Sequence, residues 1–233
     1  MTRHSLSASL LITLAFVSIG VHAVAAEVMP TSSLAKTTAL IGVPKLATPA
    51  WLAAASPSSP APQPTPATAT KRIVTYLIKT EGVVTTSVTE FRQKANQTLN
   101  DSRGWARLGV QFQEVASGAQ FSLILSQAEN IPNYSPTGCS TELSCTVGNN
   151  VLINQTRWLN ATTTWNQAGG SLDAYRSMVI NHEVGHWLGH GHVDCPGAGQ
   201  AAPIMRQQSV DLGGCTPNPW PLASELYSSR LGI

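Results

Sequence analysis

The chain has 233 residues, of which 42% are hydrophobic and only 11% charged, enough apolar material for a packed core. A formal net charge of +2 supplies no electrostatic footprint for nucleic acid or an anionic membrane surface, so polyanion-binding functions are set aside. Composition changes after the first quarter, which leaves residues 71–233 as one ordinary domain's length.

Residues 1–26 open with Arg3 and His4, pass through an apolar run centred on residues 10–17, and end in Ala23, Val24, Ala25 and Ala26. This tripartite pattern predicts a secretory signal peptide and a secreted or extracytoplasmic protein. Gly20 and His22 interrupt the run and leave it short for a spanning anchor, so no stable membrane insertion is expected after cleavage. Residues 27–70 are rich in Ala, Ser, Thr and Pro, and the SPSSPAPQPTP stretch at 56–66 excludes a helix or central strand. They are expected to form a disordered linker.

Residues 72–79 (RIVTYLIK) are β-branched and aromatic and suit a strand. Ser87 with Glu90 three residues on reads as a capping box that opens a helix carrying Val88, Phe91, Ala95 and Leu99 on one face, with Gly104 marking its end. Residues 110–115 and 119–125 alternate as two strands, and their close spacing suggests a hairpin. Residues 151–153 form another short strand. A second long helix is expected from Ser171, as cap, to Gly189, with Asp173 favoured by the helix dipole, Met178, Val179 and Leu188 on its core face, and Gly189 ending it in a left-handed turn. After Gly189 the chain is rich in Gly and Pro, with a closing helix expected over residues 222–231.

Four cysteines, at 139, 145, 195 and 215, form an even set in a chain read as exported, which favours disulfides. Three connectivities are open; the local pairs Cys139–Cys145 and Cys195–Cys215 are expected because each closes a short loop. The absence of a C-x2-C spacing argues against a four-cysteine zinc site.

Four of the six histidines fall within HEVGHWLGHGH, residues 182–192. His182 and His186, four apart on a helix, project from one face and can share an ion. A turn at Gly189 lets His192 approach the same ion, and three neutral imidazoles leave a fourth position open, as catalytic Zn2+ requires. Glu183 follows a ligand directly and is placed to take a proton from water.

The pattern H-E-x-x-H-x-x-G-x-x-H, with Pro203-Ile204-Met205 beyond it as a methionine turn, resembles the metzincin zinc peptidases. The chain from Lys71 onward is also similar to an uncharacterised family of secreted bacterial metzincin-like proteins, notably in residues 179–192, Cys195-Pro196 and residues 203–209. The resemblance implies an α+β zincin fold: a twisted mixed sheet, two main helices, an active-site helix ending at Gly189, and an irregular C-terminal lobe in which Met205 lies beneath the metal without binding it. The tyrosine that some metzincins carry two residues after the turn methionine is Gln207 here, and residues 27–70 contain no cysteine to act as a switch.

The expected activity is peptide-bond hydrolysis on a peptide or protein substrate, laid beside an edge strand, with residues 206–209 lining the specificity pocket. Two alternatives stand beside it: a zinc amidase acting on cell-wall or small amide substrates, and a non-catalytic secreted module stabilised by zinc. His190, Tyr134, Tyr175 and Tyr227 are spare candidates for an oxyanion donor, though His190 reads as a solvent-facing residue. Asp194 reads as a carboxylate accepting from a ligand imidazole or capping its own turn. Trp105, Trp158, Trp165, Trp187 and Trp220 read as core or cleft wall.

Overall fold

The computed structural model describes residues 71–233; the expected signal peptide at 1–26 and linker at 27–70 lie outside the described residues. Arg72–Glu81 (β1) alternates so that Val74 and Tyr76 are buried. Val88–Asn100 (α1) follows, with Ser87 accepting the Glu90 N–H at 3.1 Å. The Glu90 carboxylate does not complete the expected capping box. It pairs instead with Arg176 at 2.7 Å, which ties α1 to the long helix described below. The helix ends at Asn100, and Gly104 caps a short 3₁₀ turn, Trp105–Leu108.

Val110–Glu114 (β2) and Phe121–Ser126 (β3) do not form the expected hairpin. Both run parallel to β1 on its two sides. β2 pairs with Arg72 to Tyr76 and β3 with Tyr76 to Glu81, so each uses one half of a ten-residue strand. The link 115–120 therefore crosses from one side of β1 to the other without reversing direction. Cys145–Val147 (β4) and Asn150–Asn154 (β5) complete a mixed sheet of order β2-β1-β3-β5-β4, in which only β4, at one edge, is antiparallel.

Two short helices, Gln155–Asn160 (α2) and Thr163–Gln167 (α3), lead to Leu172–Leu188 (α4). Ser171 caps α4 by accepting the Ala174 N–H at 3.1 Å, and Asp173 sits in its first turn. α1 and α4 are the two main helices. Phe91, Ala95 and Leu99 from one, and Met178, Val184 and Leu188 from the other, share one core with alternate residues of the sheet such as Leu123, Leu125, Val151 and Ile153. Trp105, Trp158, Trp165 and Trp187 are fully buried in that core, whereas Trp220 is half-buried with the Arg103 guanidinium 4.2 Å from its ring centre.

Beyond Gly189 the described chain is irregular. The helix expected over residues 222–231 is reduced to one 3₁₀ turn, Ala223–Glu225. The reason lies in its side chains: Glu225 turns inward onto the backbone of residues 204 and 205, and Ser228 Oγ donates to Leu188 O at 2.8 Å. The segment is thus spread over the end of α4 rather than coiled on itself. Disulfides join Cys139 to Cys145 and Cys195 to Cys215. No helix among the described residues is long and apolar enough to cross a membrane.

Candidate metal centre and cleft

α4 carries His182, Glu183 and His186 on its last two turns and stops at Gly189, which takes φ 103° and ψ 16°. That left-handed conformation suits glycine, and a Cβ there would collide with Ser229 Oγ. The turn returns the chain so that His192 faces the two helical imidazoles. The three candidate ligand nitrogens lie within 4.8 Å of one another, and the His192 ring centre is 5.3 Å from that of His182 and 4.7 Å from that of His186.

Hydrogen bonds set the tautomers of the two helical rings. His182 Nδ1 lies 2.7 Å from Ile204 O, and His186 Nδ1 lies 2.9 Å from His190 O. A carbonyl oxygen only accepts, so each Nδ1 donates its hydrogen and each Nε2 is left with a bare lone pair. His186 Nε2 stands 3.1 Å from His192 Nε2, so the lone pair of His186 faces the ring nitrogen of His192. Tetrahedral zinc with Zn–N bonds of about 2.0–2.1 Å holds neighbouring ligand nitrogens roughly 3.3 Å apart; the His186–His192 pair stands near that spacing, and three imidazole nitrogens are the donor type that ion takes. Burial and the neighbouring His186 push His182 down to about 3, and burial lowers His186 and His192 as well, which keeps all three neutral and able to ligate.

Glu183 is buried beside the triad. Loss of hydration pushes its carboxyl up to about 8, and a hydrogen bond from Thr146 partly offsets this. Thr146 Oγ1 lies 2.8 Å from Glu183 Oε2 and 2.9 Å from the Glu183 carbonyl oxygen. Glu183, the three histidines and Cys145 and Thr146 of β4 border a cleft of about 350 Å³, closed on its other sides by residues 137–140, 143–144 and 207–210 and by Met178 and Val179 of α4.

Met205 is fully buried. Gly185, one residue before His186, makes room for it: a Cβ there would collide with Met205 Sδ and stand 3.0 Å from Trp105 Cζ2. The turn is held from the far end of the chain, because the Glu225 carboxylate accepts N–H groups from Ile204 and Met205 at 2.9 Å and from Leu222 at 2.8 Å. Ile204 therefore joins two bonds, its N–H on Glu225 and its carbonyl on His182.

Several expectations are corrected. His190 is not solvent-facing but buried, stacked 5.0 Å from the Trp105 ring with Nε2 donating to Tyr227 O at 2.9 Å. Asp194 reaches no imidazole; it is exposed and pairs with Arg206 at 2.6 Å, and backbone carbonyls orient the ligand rings instead. Arg206 is drawn away by Asp194 and Asp211, so of residues 206–209 only Gln207, Gln208 and Ser209 border the cleft. None of the spare tyrosines borders it either: Tyr134 faces Glu81, the Tyr175 hydroxyl is 2.9 Å from Ser209 Oγ, and Tyr227 lies against His190.

Thr146 and Glu225 are the residues missed in the sequence. A three-residue strand carries no periodicity, and a lone glutamate in a Pro- and Ser-rich tail carries no spacing.

Residues 53–218 match a family described as "Protein of unknown function (DUF3152)". The chain belongs to this family. The match begins ahead of β1 and takes in all three histidines, Glu183 and Met205, while Glu225 falls beyond its end. No curated protein matches the chain. Among solved structures it is similar to the archaemetzincin of Methanopyrus kandleri, at 13% identity and a TM-score of 0.42, over 66% of this chain and 92% of that one.

Proposed function

We propose that this member of the family is an exported, zinc-dependent peptide-bond hydrolase of the metzincin type. The observation that carries the reading is the convergence of His182, His186 and His192 in tautomers that leave Nε2 free on both helical rings, beside a buried Glu183 that opens on the same cleft. When bound, zinc supplies the Lewis acidity that polarises a carbonyl and brings the pKa of water to about 7. Glu183 takes the proton of the attacking water and returns it to the leaving amine. β4 is an edge strand at the rim of the cleft, and its free side suits main-chain pairing with an extended peptide. No Lys, Arg or Asp borders the cleft, which favours uncharged side chains next to the scissile bond. The two disulfides support export to an oxidising compartment.

The test is zinc analysis with peptide-library cleavage on wild type, Glu183→Gln and His192→Ala. Glu183→Gln is expected to keep zinc and fold while cleavage drops by at least ~10²-fold. His192→Ala is expected to lose zinc. Undiminished cleavage by zinc-loaded Glu183→Gln would refute the mechanism, and a wild type that binds zinc but cleaves no peptide would return the protein to the class of amidases or zinc-stabilised modules.

A further inference from the structure

Thr146 is the middle residue of β4, an edge strand paired with β5. Thr146 pairs with Val151 in the sheet, and the preceding residue, Cys145, is bonded to Cys139. From this strand its hydroxyl faces two acceptors of one residue on α4, the Oε2 and the carbonyl oxygen of Glu183. A threonine hydroxyl has one hydrogen to give. The carbonyl of Glu183 already lies in the hydrogen-bond ladder of α4, and when Glu183 is ionised, the form a general base must take, its carboxylate is the stronger acceptor, so the hydrogen goes to Oε2. Glu183 Oε1 has no protein partner among the described residues and is not sealed from the cleft.

We propose that Thr146 is the positioning residue of Glu183: it anchors Oε2 from the edge strand and leaves Oε1 as the oxygen that accepts the proton. The proposal rests on the reading of Glu183 as general base. A glutamate side chain has three rotatable torsions, and its own helix cannot restrain the far end. A β-branched side chain on a paired strand can, because its χ1 is restricted and its backbone is held by pairing with β5 and by the adjacent disulfide. The same contact ties the base on α4 to the edge strand β4, so a substrate seated along β4 is registered against Oε1.

Thr146→Val keeps the branched shape and removes the hydroxyl; Thr146→Ser keeps the hydroxyl. With zinc bound, Thr146→Val is expected to lose kcat by ~10- to 100-fold, the weight of a hydrogen bond to a charged group, with KM and zinc affinity held, and Thr146→Ser is expected to recover most of it. Crystal structures of the zinc-free proteins supply a readout independent of activity. Glu183 is expected at one position in wild type and Thr146→Ser, and spread over more than one in Thr146→Val. A single Glu183 position in Thr146→Val, or a Thr146→Ser variant as impaired as Thr146→Val, overturns the proposal. If the wild type itself cleaves no peptide, the peptidase reading falls while the crystallographic comparison still decides whether Thr146 positions Glu183.

Discussion

Gly185→Ala sets two effects of opposite sign against each other, and the structure decides between them. In a helix interior, alanine is favoured over glycine by about 1 kcal/mol, so propensity alone predicts a stabilised α4. The added Cβ, however, would overlap Met205 Sδ, lie 3.4 Å from Met205 Cε and stand 3.0 Å from Trp105 Cζ2. Neither neighbour can yield cheaply. Trp105 is anchored by its Nε1 on Asn181 O at 2.9 Å and stacks on His190, and Met205 is fully buried with its N–H on Glu225. Overpacking of this kind costs about 1–3 kcal/mol, and a clash against two fixed side chains belongs at the upper end, so a net loss of roughly 1–2 kcal/mol is expected. For a domain of this size that lowers Tm by about 2–8 °C. Because relief requires α4 or the 203–206 turn to shift, zinc affinity is expected to fall too. Melting curves in the presence of a chelator and zinc competition titrations measure the two effects separately. In a Met205→Ala background the obstruction is gone, and Gly185→Ala is expected to cost less there, a coupling that a double-mutant cycle reads directly. An equal cost in both backgrounds, or a Gly185→Ala protein as stable and as tight for zinc as wild type, would refute the reasoning.

Two further outcomes follow from the buried groups. In the zinc-free protein His182 is depressed to about 3 from 6.5, so its contribution is full above pH 6.5 and is lost as pH falls towards 3; Glu183 is raised to about 8 from 4.5, so its contribution is full below pH 4.5 and is lost as pH rises through 8. The opposing slopes place the zinc-free optimum between those two ordinary values, and chemical denaturation across pH is expected to show the alkaline fall in wild type and its disappearance in Glu183→Gln; an alkaline fall of equal size in both would exclude Glu183 as its source. Glu225→Gln replaces one acceptor oxygen by a donor facing the backbone N–H groups of the 203–206 turn, and is expected to cost about 1–3 kcal/mol and to weaken zinc binding through the Ile204–His182 bond; unchanged melting and zinc competition curves would show that the clamp does not reach the metal site.

How far the sequence reveals this molecule depends on the range of the signal. Local chemistry is legible: Ser87, Ser171 and Gly189 are read from caps and turns that involve residues three or four positions away, and α1 and α4 form where those signals fall. Strand pairing is not. Residues 110–115 and 119–125 are close in sequence and alternate, which suits a hairpin, but the ten-residue length of β1 offers each of them a separate half to pair with, and nothing local records that β1 lies between them. The C-terminal segment fails for the same reason. Residues 222–231 have helical composition, yet Glu225 is bound to residues about twenty positions earlier and Ser228 to a residue forty positions earlier, and these long-range bonds override the local preference.

The candidate site shows the same division, and it explains why an irregular segment has so many fixed points. The spacing of His182 and His186 on α4 places two rings on one face, but a helix does not choose which nitrogen of each ring carries the hydrogen. That choice is made by the carbonyls of Ile204 and His190, both beyond the end of α4. A carbonyl can impose a tautomer only if it is held in place; neither residue lies within a strand or helix, though the His190 N–H closes on Gly185 O of α4 at 3.0 Å. Ile204 is held by Glu225 and lies within the loop closed by Cys195 and Cys215; His190 is held by its stacking on Trp105 and its bond to Tyr227 O. Spacing on the helix thus supplies the direction of two lone pairs, and the bonded framework of the irregular lobe keeps those lone pairs free for an ion.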